Sequence, residues 1–587
     1  MSGGRVQLGF GRGFVVHDYE VLGQAYDTAQ EQTLEAVDII KKAWSGEPFT
    51  HAGRHFQLPL AVQVWPQPLQ RPHPPLWMAA TGDPRPTAYA ELTGLLRETA
   101  VLASASATLA WDQETMMPPA GAALRADQLS ALTALVHERR TSPRVAELLA
   151  ECEADASLAA DEVVAANLRE IRRGYELATR LPTSLVREIA ETSSKALEAW
   201  RDARERDDFA AFAPWLEKVV GLNRSKAECY GVPEGGEPYD ALLDEFEPGM
   251  TSAEVRGVFD ALRAGLAPLI ADIAGASRRP DQRLARVPVP ATTQSELARR
   301  VLERIGFDLR AGRLDVSTHP FCEGLGRGDT RLTTRYADEG FVDGLVSALH
   351  EAGHGMYEQG LPKAEHFGQP IAESASLGIH ESQSRLWENM VGRSRPFWEW
   401  ALPEARRVVG SALDGVDVEE AYGFLNTVDP GLIRVEADEA TYNLHIMLRF
   451  DVERGMLGGD LPVRDLPGVW NERVKQDLGI EVPDDRRGCL QDIHWSLGAL
   501  AYFPTYTLGN LYAAQLWEAV RAALPGLDDR MREGDFTPLL GWLRENVHRH
   551  GRRFTAPELC RRATGKPLSP EPLLRYLEGK LRPLYGI

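Results

Sequence analysis

Long apolar runs are absent from this 587-residue chain. Nowhere do about 18 apolar residues follow one another, so no transmembrane helix is expected. The opening MSGGRVQLGFGRGF lacks the apolar stretch and small-residue cleavage site of a secretory signal. Cysteine is scarce: Cys152, Cys229, Cys322, Cys489 and Cys560 are scattered and form no CxxC pair. That pattern argues against a disulfide framework and reads as reduced thiols in a cytoplasmic protein. Positive charge is in deficit, with 65 Lys+Arg against 85 Asp+Glu and a formal net charge of -20. An acidic surface repels phosphate backbones, which argues against a broad nucleic-acid footprint and leaves room only for a local basic pocket.

The remaining composition, 43% hydrophobic and 26% charged, is that of a folded globular chain. Its sharpest break comes early. Seven prolines fall within residues 66–86, a density that removes backbone donors and forbids a long helix. Before that stretch, Leu34, Val37, Ile40 and Ala43 stand at helical spacing in residues 28–44, and GEPFTHAGRHFQLP reads as a turn with a short strand pair. After about residue 87, amphipathic helical stripes recur to the end. Leu129, Leu132 and Val136 share one face of 125–140, and similar patterns cover 160–180, 185–203, 252–275, 340–358, 434–456 and 508–524. Period-two alternation is confined mainly to RVPVPATT and DTRLTTRYAD. Two domains are expected, 1–86 and 87–587, the second a large, mainly α-helical body.

The segment FVDGLVSALHEAGHGMYEQG contains His350, Glu351 and His354 in the pattern HExxH. On a helix, residues i and i+4 sit one above the other, so both imidazoles can reach one metal ion. Glu351 then projects beside the metal, where it can take a proton from a bound water. Val342, Leu345, Leu349 and Met356 supply the apolar stripe that seats the helix. Chance alone produces HExxH in roughly three chains per hundred of this composition, so the motif needs support. Zinc requires a third protein ligand and an open fourth position. Glu358, Glu365, Glu373, Glu381 and Glu388 are all within range. Glu381, in LGIHESQSRLWEN, lies on a second helical stretch able to pack across the first. A glutamate taken alone is commonly a solvated surface charge, so the residues around it must decide.

Those residues form an ordered set of motifs. They are HPF at His319, Pro320 and Phe321; DxRxT at Asp329, Arg331 and Thr333; HExxH; and HESQ from His380 to Gln383. IRxxAD follows at Ile433, Arg434, Ala437 and Asp438, and GxxQDxHW at Gly488, Gln491, Asp492, His494 and Trp495. WDQETMMPP and YFPTYTLGN flank the set on either side. Over residues 87–587 the chain resembles the carboxypeptidase Taq family of zinc metallocarboxypeptidases. It departs from that family at Ala501, where glycine is usual, and at Gly431, where serine is common.

The resemblance implies a mainly α, large helical HExxH zinc metallopeptidase with a deep central groove and a small β element near the active site. It implies metal ligands His350, His354 and Glu381, general base Glu351, and His494 as an oxyanion stabiliser with Tyr502 or Tyr506 nearby. It further implies a homodimer that removes single C-terminal residues from peptides with broad preference, using zinc, with cobalt able to substitute. Arg434 matches the family position for the substrate carboxylate, which a guanidinium fork can hold bidentately. A salt bridge to Glu436, Asp438 or Glu439 is the competing reading for Arg434, and Arg331 and Arg335 are alternative clamps. His319 would shape the substrate side of the cleft, or else be a hydrogen-bonded core histidine. Trp495, Tyr502, Phe503, Tyr506, Tyr512 and Trp517 read mostly as core packing, and Cys322 and Cys489 as buried bystanders.

Residues 9–82 resemble instead an internal piece of luciferase-like flavin monooxygenases. Those enzymes are barrels of about 250 residues and eight strands. A piece this short cannot close a barrel or hold a flavin, so no flavin is expected, and 1–86 reads as a non-functional fragment with a proline-rich linker. Rival readings for the whole chain are a helical HExxH oligopeptidase or aminopeptidase, a non-catalytic peptide-binding module and a flavin-dependent oxidoreductase. The presence of all three presumed ligands and the base argues against the non-catalytic module, and the resemblance implies a peptidase acting on peptides with a free C-terminal carboxylate.

Overall fold

The stripe of Leu34, Val37, Ile40 and Ala43 folds as a helix, and the alternating segment after it as two strands. In chain order the N-terminal elements are β1 (Leu8–Phe10), α1 (Ala29–Ala43), β2 (Phe49–Ala52), β3 (Gln57–Val62) and β4 (Leu76–Met78). The computed structural model describes residues 8–10, 28–65, 76–78, 87–337 and 340–587. The chain divides into two compact units, Met1–Ala90 and Glu91–Ile587. In the first, β2 and β3 pair antiparallel and β1 pairs parallel with β4. Glu35 of α1 accepts hydrogen bonds from the backbone N–H groups of His55 (3.0 Å) and Phe56 (2.8 Å), tying the strand turn to the helix. Apart from β4, the proline-rich stretch 66–86 lies outside the described residues.

In the second unit the recurring stripes fold as helices. Those that matter here are α2 (Thr87–Thr115), α3 (Ala122–Arg140), α4 (Glu162–Arg180), α5 (Thr183–Arg206), α6 (Phe209–Tyr230), α7 (Ser252–Gly275) and α8 (Ala291–Ile305). After a small sheet come α9 (Phe341–Gly360), α10 (Leu377–Arg385), α11 (Arg395–Val409), α12 (Tyr442–Gly458), α13 (Pro504–Ala523) and α14 (Glu571–Tyr585). The sheet contains β5 (Gly312–Val316), β6 (Cys322–Gly326) and β7 (Asp329–Thr334), with β7 central, parallel to β5 and antiparallel to β6. It packs against α9, which carries the HExxH residues. The helices α5 to α14 surround a continuous apolar core whose largest fully buried members include Trp387, Trp398 and Trp470. By contrast α3 buries no side chain at all. Among the described residues no helix is long and apolar enough to cross a membrane.

Two local expectations are corrected. RVPVPATT is not a strand; Pro288 and Pro290 supply no donors for a ladder, and the chain enters α8 at Ala291. β5 and β6 carry too little alternation to be read from sequence. The helix expected over 434–456 begins only at Tyr442, after a single tight turn at Arg434–Glu436. The cause is Asp438, whose carboxylate accepts from the N–H groups of Ala440 (2.9 Å) and Thr441 (3.0 Å) and from the Thr441 hydroxyl (2.6 Å). That capping arrangement holds the chain out of helical geometry until it has passed.

Candidate metal centre

Two helices must approach closely for Glu381 to reach the histidines, and glycine makes that possible. A Cβ on Gly353, inside HExxH, would lie 2.5 Å from the carbonyl oxygen of Gln383 and 2.6 Å from Cα of Ser384. Those are backbone atoms of α10, so any larger residue would drive the helices apart. On the far side, Gly509 of α13 faces Glu381 at equally close range, with Cγ of Glu381 at 2.5 Å from the position of a Cβ. The start of α10 is fixed by Ser376, which accepts from the N–H of Ile379 (3.0 Å). Buried Glu247 accepts from the N–H of Gly378 and the Ser376 hydroxyl, both at 3.0 Å. A carboxylate at a helix N-terminus satisfies orphan donors and complements the helix dipole.

The result is a tight cluster. Nε2 of His350 and of His354 lie 3.8 and 3.4 Å from Oε2 of Glu381. One ligand atom from each of the three residues falls within 4.8 Å of the others. The outward Nδ1 atoms are both engaged: His350 Nδ1 with Oε2 of Glu388 (2.8 Å), His354 Nδ1 with Nδ1 of His380 (2.5 Å). Both Nε2 atoms therefore face the carboxylate. Two imidazoles and a carboxylate, partly or fully buried and converging on one point, form a donor set that suits a divalent metal, zinc in particular, with room for a fourth ligand. The other glutamates considered as ligands go elsewhere. Glu365 and Glu373 are exposed, Glu358 pairs with Lys363 and His380, and Glu388 stands behind His350.

Electrostatics follow from burial and arginine. Burial would raise the Glu381 carboxyl, but Arg385, 2.7 Å from Oε1, and His350 hold it well below the usual carboxylate range. Arg385 also donates to Glu388 (3.0 Å) and lies over the Tyr442 ring at 4.7 Å. Arg393 adds a second bond to Glu388 (3.1 Å). Glu351 is less well compensated: burial, with Glu381 and Glu388 adding to it, outweighs the pull of His350 and Arg385 and brings its carboxyl up to about 7. Directly after α10 the chain makes a π-helical turn, Leu386–Val391, which includes Glu388. Such turns re-aim side chains and are frequent at functional sites.

An HExxH helix crossed by a glutamate-bearing helix, with this series of flanking motifs, has counterparts along the whole second unit. The profile of the carboxypeptidase Taq (M32) metallopeptidases matches residues 91–581. The chain belongs to this family. It is 46% identical to thermostable carboxypeptidase 1 of Thermus thermophilus over 508 residues, 85% of this chain and 99% of that protein. The crystal structure of the M32 carboxypeptidase from Deinococcus radiodurans aligns with a TM-score of 0.83 at 42% identity, over 86% of this chain and 100% of that one. The protein is thus a peptide hydrolase of mainly α fold, and membership of a metallocarboxypeptidase family implies a divalent metal. The N-terminal segment has a different likeness. A luciferase-like monooxygenase profile matches residues 1–109. Over 96 residues the chain is 35% identical to the oxygenase component of flavin-dependent trigonelline monooxygenase from Acinetobacter baylyi, covering 16% of this chain and 26% of that protein.

The M32 motifs outside the metal cluster interlock in ways the sequence did not disclose. Arg434 is buried, and its Nε and Nη2 both donate to Oδ1 of Asp492 (3.0 and 2.8 Å), while Nη1 donates to the Tyr442 hydroxyl (3.1 Å). The partners offered from sequence, Glu436, Asp438 and Glu439, are not the ones it takes; Asp438 holds the turn that leads into α12 and Glu439 pairs with Lys580. Asp492 also binds Arg449, so the IRxxAD and GxxQDxHW motifs are joined through one carboxylate. Arg331 holds Asp329 with Nε and Nη2 and lies 4.4 Å from the Trp111 ring centroid, so its fork is already occupied. His319 and Arg335 are exposed, which removes the core-histidine reading of His319.

His494 stacks near Phe503 (4.5 Å) and Tyr502 (5.5 Å). Burial, opposed by Asp492 and reinforced by Arg434 and Arg449, brings it down to about 4, so the ring is neutral at working pH. Tyr502 and Tyr506 pack at 5.5 Å, and burial raises both hydroxyls, each close enough to Glu381 to feel its charge. Burial likewise pushes the Cys322 and Cys489 thiols up, away from nucleophilic thiolate. Sequence reading missed Arg385 as the brace of Glu381 and Glu388 as the anchor of His350. Their spacing was the available signal: four and seven residues after Glu381 is one and two turns along the same helix face.

Proposed function

We propose that the protein is a zinc carboxypeptidase that releases single C-terminal amino acids from peptides with broad side-chain preference. The observation that carries this reading is the convergence of His350, His354 and Glu381 beside a buried, unbraced Glu351. His350, His354 and Glu381 would hold the metal, which supplies Lewis acidity at the scissile carbonyl and lowers the pKa of a bound water to about 7. Glu351 takes the proton of the attacking water and returns it to the departing amine, a double duty suited to a carboxyl titrating near neutrality. Neutral His494, with the hydroxyls of Tyr502 and Tyr506, stabilises the developing oxyanion.

Arg434 supplies positive potential for the C-terminal carboxylate. Because Asp492 already occupies Nε and Nη2, the contact runs through the Nη1 edge shared with Tyr442, one bond rather than a bidentate fork. His319, exposed on the connection between β5 and β6, lines the substrate side. Arg331 acts from a distance, since Asp329 and Trp111 hold it. The enzyme works in the cytoplasm as a homodimer, accepts cobalt in place of zinc, and uses residues 1–86 for no chemistry of their own. The deciding experiment is amino-acid release from an N-blocked dipeptide and its C-terminal amide, with zinc-loaded, cobalt-loaded and chelated protein. Metal-dependent release from the free acid alone is expected. Cleavage of the amide as readily as the acid, or release from neither with metal bound, would transfer the chain to the oligopeptidases.

A further inference from the structure

Every proposed ligand has an outer partner, but the two histidines are supported differently. Nδ1 of His350 meets a carboxylate directly, that of Glu388 at 2.8 Å. Nδ1 of His354 meets another imidazole, His380, at 2.5 Å, and Nε2 of His380 meets Oε1 of Glu358 at 2.9 Å. Glu358 in turn is paired with Lys363, whose ammonium also donates to the carbonyl of Gly324 in β6 (3.2 Å). The segments involved are α9, α10, the short helical turn Lys363–His366 after α9 and the sheet edge.

We infer that His380 is a positioning residue of the metal centre, the middle of a relay Lys363–Glu358–His380–His354 that fixes the tautomer and orientation of His354. A neutral imidazole has one donor and one acceptor nitrogen. An ionised carboxylate only accepts, so His380 donates to Glu358 from Nε2 and keeps a lone pair on Nδ1. That lone pair accepts from His354, whose proton therefore sits on Nδ1. The Nε2 of His354 is left with its lone pair facing Glu381, 3.4 Å away. Each link leaves a single choice to the next, and the chain is anchored at its far end by a lysine attached to the sheet. Outer partners of this kind typically contribute 10–100-fold to metal affinity. His380 belongs to the HESQ motif, yet its ring meets His354, Glu358 and Tyr357 rather than Glu351 or Glu381, and it acts through His354.

The inference rests on His354 and Glu381 being ligands, and the test separates the two claims. Zinc dissociation constants would be measured on the full chain by competition with a chromophoric chelator. His354→Ala should abolish tight binding; if it binds like the parent, the ligand assignment itself is wrong. His380→Phe keeps the ring and removes both nitrogens, and should weaken zinc by about 10–100-fold. Parent-like affinity in His380→Phe, with His354→Ala defective, would overturn the relay alone. His380→Asn returns an acceptor near the Nδ1 position and should recover part of the loss, whereas a general packing defect would leave it no better than His380→Phe. Glu358→Gln combined with His380→Phe should bind no more weakly than His380→Phe by itself, because Glu358 acts through His380; fully additive losses would contradict a relay.

Discussion

A carboxylate that must take a proton and give it back works best when it titrates near the working pH. Burial of Glu351 moves it to about 7, whereas Glu381 and Glu388, equally buried but braced by Arg385, stay ionised. Neutralising the proposed base should separate binding from chemistry: Glu351→Gln is expected to retain zinc while kcat on a blocked dipeptide falls by roughly 10²–10⁴. Near-normal turnover would remove Glu351 from the role. A second residue is held in strain. Ala501 has φ 66, in the left-handed region, with its side chain fully buried. Left-handed geometry costs a non-glycine residue about 1–2 kcal/mol, which offsets the methyl burial of about 0.8 kcal/mol and the backbone entropy that glycine would lose. Ala501→Gly should thus leave Tm unchanged or raise it. Ala203→Gly, at an equally buried site in α5, should lower Tm, since there the losses have nothing to offset them. Equal losses at both sites would mean that the strain at Ala501 is negligible.

At the scale of elements, the site is a crossing of α9 and α10 set by Gly353. Adding one methyl at Gly353 forces backbone apart, so Gly353→Ala should cost about 1–3 kcal/mol and weaken zinc as Glu381 is displaced. Parent-like zinc affinity in that variant would show that the crossing tolerates displacement. A second junction joins α12 to three other segments: Glu453 accepts from Trp495 Nε1 (2.8 Å), the Tyr239 hydroxyl (2.9 Å) and the Ala501 N–H (3.1 Å). Burial raises its carboxyl from 4.5 to about 7. The folded state then binds the proton more tightly than the unfolded chain, so the stability it contributes is full below pH 4.5 and is lost as pH rises through about 7. Glu453→Gln removes this proton linkage. Relative to the parent, its Tm should improve between pH 5 and pH 8, by an amount corresponding to the order of 3 kcal/mol. A difference that stays constant with pH would show that Glu453 is not protonated in the fold.

The same elements show what a sequence can disclose. Long helices with one apolar face, such as α7, were legible because their periodicity is local and Thr251 and Glu254 form a capping box at the start. The HExxH pair was legible because a helix fixes its geometry within five residues. The partner of Arg434 was not, because three nearer acids were available and the one it takes is 58 residues away. The late start of α12 was hidden for a related reason. Asp438 sits inside an apolar-periodic stretch, and only its fold-determined hydrogen bonds reveal a cap. The proposed relay through His380 depends on four segments meeting, which no local pattern encodes.

For the whole molecule, the two ends of the chain carry different family likenesses. The metal-binding cluster and the side chains that support it, from Glu247 onward, lie within the second unit. Deleting residues 1–85 is therefore expected to leave kcat/KM on a blocked dipeptide within error of the full chain. A folded but inactive truncation would give the N-terminal unit a part in catalysis. One further property of the molecule comes from α3. Its 19 residues bury no side chain, and among its ties to α2 are Arg125 to Asp112 (2.7 Å) and Arg139 to Glu98 (3.0 Å). Most helical stability in proteins comes from packing an apolar face against the rest of the fold, so α3 is expected to open locally while the core stays shut. Its amides are expected to exchange with solvent before those of α9 or α13, and limited proteolysis is expected to nick it sooner than either of those buried helices.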